Sequence, residues 1–370
     1  MHRQWYQPIP RAARIGLLAL IALATGCGDG NNNNGGQGFT VTKLVSNQAG
    51  QAPVTDSRLT NAWGIARAAN GPWWVSDNHS GSSTVYDGNG MPFPAANPLV
   101  VTIPPPAGSA PGAEGAPTGI VVNTTADFVL TNGGPAVFIF DTEDGTLAGW
   151  NLNSGTVAEI TADNSADEAI YKGLAIGTDG NANRLYASNF HAGTVDVFDG
   201  AFQPVVHAGA FTDPNIPAGY APFGIQNVGG DIFVTYAKQD ENKEDDSPGA
   251  GNGYVDVYNG AGVLQSRFAT RGHLNSPWGI VVAPSSFGPF NDALIIGNFG
   301  DGHLNAYDRS TGAFQGPLKL AGGGAVTIEG LWGLAFGNGA NAGSASSLYF
   351  AAGPNEEADG LFGMITANGG

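Results

Sequence analysis

From Phe39 onward, apolar residues come in runs of four to seven, rich in aromatic and β-branched types and bounded by Gly, Asn and Asp. That pattern predicts antiparallel hairpins, not helices. In a first unit the runs are WWVSD and STVYDG, in a third RLYASNF and TVDVFDG, in a fifth ALIIGNF and HLNAYD. A weaker run follows in most units, such as LVVTI at 99–103 or LQSRFAT at 264–270. Each unit opens on one motif, seen as TNAWGIA, GAPTGIV, IYKGLAI, YAPFGIQ, NSPWGIV and EGLWGLA. Its glycines, Gly64, Gly119, Gly173, Gly224, Gly279 and Gly333, stand 55, 54, 51, 55 and 54 residues apart. A period near 54 fits repeated four-stranded units.

The sixth unit ends after its third run, LFGMI at 361–365, while FTVTKLVSN at 39–47 precedes the first unit without a partner. Pairing the two closes a ring and hides the edges an open array would expose. The expected fold is therefore all-β, one six-bladed β-propeller over 39–370 whose last blade is closed by the N-terminal strand. The repeated Gly belongs on the innermost strand, where blades converge and side-chain bulk is least tolerated.

Composition narrows the picture. The 58 Gly and 23 Pro weigh against helices, and 42% apolar with 10% aromatic residues rules out a disordered chain. Only 12% of residues are charged, yet 31 acids oppose 14 bases. Such a surface repels phosphate backbones, so nucleic acid is excluded as a partner and an anionic membrane surface is a poor one.

Residues 1–14 hold Arg3, Arg11 and Arg14 and no acid, followed by the apolar run IGLLALIALA at 15–24. This is the pattern of a signal peptide, too short to span a bilayer. It leads into ATG-Cys27, the single cysteine, and resembles the bacterial lipobox, in which the cysteine is acylated and becomes the mature N-terminus. Residues 1–26 are then the lipoprotein signal peptide and 27–38, ending GDGNNNNGGQG, a flexible tether. Cleavage leaves 11 bases against 31 acids, a net charge of −20. Asp29 lies one place beyond the position of an inner-membrane retention signal, so an exported, lipid-anchored envelope protein, at the outer membrane, is expected. The membrane is reached only through the lipid.

The xGI and xGL segments with strands such as LYASNF and VDVFDG resemble NHL-type and, more distantly, gluconolactonase-type six-bladed propellers. The strings NAWGIA, WWVSDN, FIFDTEDGTLAGWN, YAPFGIQNVGG, VTYAKQD, IGNFGDG, GLWGLAFGNG and LYFAAGPNEEADGLFG resemble a family of exported bacterial proteins spread over nearly the whole chain. The resemblance implies an exported propeller without an established activity. Many such relatives end in a PEP-type sorting segment; this chain ends ITANGG, and Cys27 is expected to do the anchoring instead.

Candidate chemistry gathers at one mouth of the ring. The residue before each repeated Gly is Trp63, Thr118, Lys172, Phe223, Trp278 or Trp332. Four aromatics beside one Lys suit either a stacking platform for a sugar or flat ligand, or packing between blades. Asn61, Tyr220, Asn275 and Glu329 stand nearby, and the loops after the second strands carry Asp77, Asn78, Asp141–Asp144, Asn189, Asn298, Asp301 and Asn355–Glu357. Such oxygens suit Ca²⁺. Asp163, Ser165 and Asp167 have calcium-loop spacing, but Glu168 stands where the turn Gly belongs. His79, His191 and His303 sit on alternate blades as candidate Zn²⁺ ligands, at different offsets in their loops, with His273 nearby. The acidic insert at 238–251 reads as solvated loop. No GxSxG elbow or triad context is present. The first reading is a monomeric binding or scaffold propeller for a small molecule, a glycan or an envelope protein. The alternative is a metal-dependent enzyme of lactonase or lyase type.

Overall fold

The computed structural model describes residues 38–206 and 208–368. The signal peptide assigned to 1–26, Cys27 and the tether up to residue 37 lie outside the described residues. What is described is six sheets, antiparallel but for one short parallel edge pair, with helical geometry confined to three single turns of 3₁₀ helix.

The innermost strands are Ala62–Ala66, Pro117–Val122, Tyr171–Asp179, Tyr220–Val228, Pro277–Val282 and Leu331–Phe336, each opening one blade. Blade 1 continues outward through Trp73–Asp77, Ser82–Tyr86 and Val100–Thr102, and blades 2 to 5 repeat that order. In blade 6, Leu348–Ala352 and Leu361–Ala367 are followed by Phe39–Ser46. Phe39 faces Ala367 and Ser46 faces Leu361, so the N-terminal strand closes the last blade as its pattern required. A two-residue strand, Val54–Thr55, adds in parallel to Val45–Ser46 outside it, which the pattern did not signal.

Every inner strand has the same defect at the repeated motif. In blade 1, Ala62 faces Asp77 and Ile65 faces Val75, so Trp63 and Gly64 together oppose Ser76 alone. Equivalent bulges fall at Thr118–Gly119, Lys172–Gly173, Phe223–Gly224, Trp278–Gly279 and Trp332–Gly333. A bulge re-aims one side chain; here it does so once per blade. The glycine is required for a second reason. A Cβ on Gly64 would lie 2.5 Å from the Thr118 carbonyl oxygen, on Gly279 2.6 Å from that of Trp332, and on Gly333 2.5 Å from that of Trp63. Each blade's bulge thus packs on the backbone of the next, and the last contact closes the circle. Hydroxyls opposite the bulges reinforce the seam, as where Ser188 Oγ donates to the Phe223 carbonyl across the blade boundary at 2.6 Å.

Candidate functional site

The bulges place one ring of side chains at the mouth, and the residues directly after the second strands place another beside it. From the first ring, Trp63, Phe223 and Trp332 are each 1% exposed, with Trp278 partly buried. From the second, Phe190 is buried and Phe299 partly so. The rings pack on one another. Trp63 stacks on Trp332 at 3.6 Å between centroids, Phe299 stacks on its neighbour Trp332 at 4.0 Å, and Trp278 meets both indoles edge-on. Of the two sequence readings of these aromatics, packing between blades is the one observed. The faces of Trp63 and Trp332 are spent on each other and form a plug, not an open platform.

Lys172, from the same ring, is 2% exposed and stands over this plug with its Nζ 5.3 Å from the Trp63 ring centroid. It donates to Glu143 Oε1 and, at 3.0 Å, to Asp245 Oδ1. Burial disfavours its charge, but the two carboxylates outweigh that and hold its pKa above the ordinary lysine value. Glu143 Oε2 accepts from Asn78 Nδ2 at 2.9 Å, and Asn78 Oδ1 accepts from Asn61 Nδ2 at 3.3 Å. His79 Nε2 lies 3.4 Å from the same Asn61 nitrogen. Trp278 Nε1 donates to the Lys172 carbonyl at 2.7 Å, fixing the backbone beneath the ammonium.

Glu357 completes the group. Burial first, and the charge of Glu143 second, push its pKa up to about 8 against the partial relief given by Lys172. Its carboxyl lies against the Asn61 amide, which partly relieves it, while Glu357 Oε1 and Asn61 Oδ1 are both buried without a close hydrogen-bond partner, which is uncommon for buried polar atoms. Both residues are held by left-handed backbone. Asn61 has φ 49°, and Asn355, Glu356 and Glu357 have 59°, 52° and 66° in succession. Three consecutive non-glycine residues in that region cost about 1–2 kcal/mol each. Glu329 steadies the turn by accepting from the Asn355 backbone N–H at 3.0 Å.

The structure therefore brings together Asn61, Lys172, Glu143, Asp245 and Glu357, supplied by blades 1, 3, 2, 4 and 6. Asp245 comes from the acidic insert, expected as solvated loop. It is exposed, yet Lys172 draws it inward and holds its pKa below the ordinary range. A signal for Glu143 was present, since it directly follows a second strand; Asp245 had none beyond its charge. The other candidates hold loops. Tyr220 donates to Asn252 Oδ1 at 3.1 Å, and Asn275 Oδ1 accepts from the Gly249 N–H. Among the described residues no group of three or more His, Cys, Asp or Glu is arranged to hold a metal ion. His191 lies by Glu168 and His303 by Asp301, sharing no partner with His79. Asp163 spends one oxygen on the Ser165 N–H and hydroxyl and the other on the Ala107 N–H, and Glu168 takes the left-handed turn a glycine would occupy, φ 59°.

Among solved structures, the fold is similar to a streptogramin B lyase, with 13% identity, a TM-score of 0.51 and 89% of this chain and 98% of that one covered. It is likewise similar to virginiamycin B lyase from Staphylococcus aureus, with 13% identity, a TM-score of 0.50 and coverage of 89% and 99%. At that identity the likeness is one of fold alone. No protein-family model matches the chain. In sequence it is 33% identical over 339 residues to the uncharacterized protein R648 of Acanthamoeba polyphaga mimivirus, covering 88% of this chain and 80% of that protein. It is also 33% identical over 342 residues to uncharacterized protein L690 of the same virus, covering 88% and 85%. With that identity over nearly the full propeller, the chain belongs to the family of six-bladed β-propeller proteins that includes mimivirus R648 and L690.

Proposed function

We propose that this protein is a binding propeller whose acidic mouth takes a small, hydrogen-donating ligand, a glycan hydroxyl cluster or an amine. One observation carries the reading: strained backbone sets a buried amide oxygen, Asn61 Oδ1, and the raised carboxyl of Glu357 side by side, next to the Lys172–Glu143 pair. A buried acceptor short of partners is satisfied by a donor that arrives. Calorimetric titration against neutral sugars, amino sugars and polyamines tests this. Binding by one class, weakened in Asn61→Ala and Glu357→Gln, supports the reading; silence across all three classes defeats it.

A second reading rests on the two carboxyls. Glu357, beside the Lys172-bonded Glu143, is pushed up to about 8, which keeps its proton available at neutral pH as a general acid requires. A lyase-type enzyme would then use Glu357 as proton donor. Such an enzyme loses activity in Glu357→Gln while keeping its affinity for substrate.

We further infer export and lipid anchoring at Cys27, a bacterial envelope address supported by Arg3, Arg11, Arg14 and the apolar run at 15–24. Cys27→Ala should release the protein from membranes; retention there rejects the anchor.

A further inference from the structure

We propose that the central channel holds a second site, on the face opposite the mouth, that receives an aliphatic carboxylate with its head at Arg67. All six inner strands, continuing past their repeated glycines, enclose a cavity of about 760 Å³, within the range of small-molecule sites. Aliphatic side chains, Ile65, Ile120, Ile176, Val281 and Leu334 among them, form one part of its wall, and polar groups supply the larger share of its exposed lining. The plug residues Trp63, Trp278 and Trp332 precede these wall residues on the same strands.

Arg67 directly follows the inner strand of blade 1 and lines the cavity. Its Nε donates to the Phe336 carbonyl at 2.7 Å and its Nη2 to the Gly337 carbonyl at 3.1 Å, which turns the guanidinium over the Trp73 ring at 5.7 Å. Among the described residues no carboxylate pairs with it. Burial lowers its pKa, and no acid offsets that. Lys172 and Arg267, also drawn inward, are treated differently. Lys172 holds Glu143 and Asp245, and Arg267 holds Asp213 and Asp256. In a chain with 31 acids and 14 bases, a half-buried arginine without one stands out, because buried charges are ordinarily paired. Arg309 and Gln226, both exposed, line the same cavity, and Asp231 is its one acid. The three remaining guanidinium N–H groups match a carboxylate, and the aliphatic part of the wall matches a hydrocarbon body.

The test is isothermal titration of the purified protein with decanoate, decanol and decyltrimethylammonium, one tail under three heads. Decanoate should bind at one site, with decanol and the ammonium about tenfold weaker or worse. Arg67→Met should weaken decanoate about tenfold and Arg67→Lys far less. Because Arg67 also ties two carbonyls, Val281→Phe provides a second variant: it narrows the cavity from the inner strand of blade 5 and should weaken decanoate too. Equal binding of decanol, no binding of decanoate, or decanoate affinity indifferent to Val281→Phe overturns the proposal. So does a loss of decanoate binding in Glu357→Gln, which would place the ligand at the mouth.

Discussion

A Cβ on Gly224 would overlap the carbonyl oxygen of Trp278, the residue just before the repeated glycine on the next blade. The obstacle is backbone, which cannot swing aside as a side chain can. Gly224→Ala should therefore destabilise by about 1–3 kcal/mol, as overpacking does. Gly322, with no atom within 4 Å of a built Cβ, is the control, and Gly322→Ala should stay within about 0.5 kcal/mol. Urea unfolding of the two variants checks the pair, and equal midpoints would refute the account of the repeat.

That glycine was legible because the same steric demand recurs at every blade boundary and leaves a period. The closing strand was legible for a similar reason: Phe39–Ser46 has strand pattern and no sequential partner, and the outer edge of Leu361–Ala367 has no later strand to cover it. The candidate site was less so. Trp63 and Trp332 stand at the mouth in register, but whether their faces meet a ligand or each other depends on how far the plug closes, which spacing does not encode. Glu357 reaches Asn61 only because three residues adopt left-handed backbone, and Asp245 reaches Lys172 only because its insert folds back, with the Asp240 N–H donating to the Asp245 carbonyl at 2.8 Å. Neither fold-back has a hydrophobic pattern to announce it.

The Lys172 ammonium is 2% exposed, whereas Glu143 is 26% and Asp245 72%. Loss of Glu143 should therefore hurt more than loss of the lysine, since solvent can take up a stranded Glu143, whereas the buried Lys172 is left with the exposed Asp245 alone. Glu143→Gln should cost about 1–3 kcal/mol, below the range for a fully buried pair because one partner is partly solvated. Lys172→Met should cost less. Thermal melts of both variants in matched buffer check the order; the reverse order refutes it.

Glu357 is raised from an ordinary value near 4.5 to about 8. Below pH 4.5 both folded and unfolded states carry the proton and the group is indifferent. Between about 4.5 and 8 the unfolded chain releases it while the folded one keeps it, so stability falls as pH rises through that window. Above it the loss is complete. Asp246, raised by burial to about 6, acts in the same direction over the lower part of the window. Glu357→Gln should flatten the fall of Tm with pH between 5 and 8, and an unchanged slope would show that Glu357 ionises normally.

Glu356 is exposed and sits at φ 52° in the left-handed turn that delivers Glu357. Glycine adopts that conformation without steric cost, so Glu356→Gly should gain up to about 1 kcal/mol once its greater freedom in the unfolded chain is set against the relief. Asn355→Gly should gain less, because Asn tolerates the region better than Glu. Differential scanning calorimetry resolves the two. If Glu356→Gly lowers Tm, the turn is not strained.

Phe39 begins the strand that closes the ring, and it does more than pair with Ala367. Its ring is 2% exposed, 4.9 Å from Phe287 and stacked on Phe290 at 6.2 Å, and its N–H donates to the Lys319 carbonyl at 2.8 Å. All three of those partners belong to blade 5, so the N-terminal strand clamps blade 6 to its neighbour as well as completing it. Phe39→Ala should leave a cavity and cost about 3–5 kcal/mol. The loss should also be local in its first effect. Opening at residues 39–46 exposes the edge Leu361–Ala367, so hydrogen exchange in that strand should rise before exchange in blades 2 to 4. Exchange measured by mass spectrometry on the variant distinguishes this from a uniform loss of stability, in which all six blades would lose protection together.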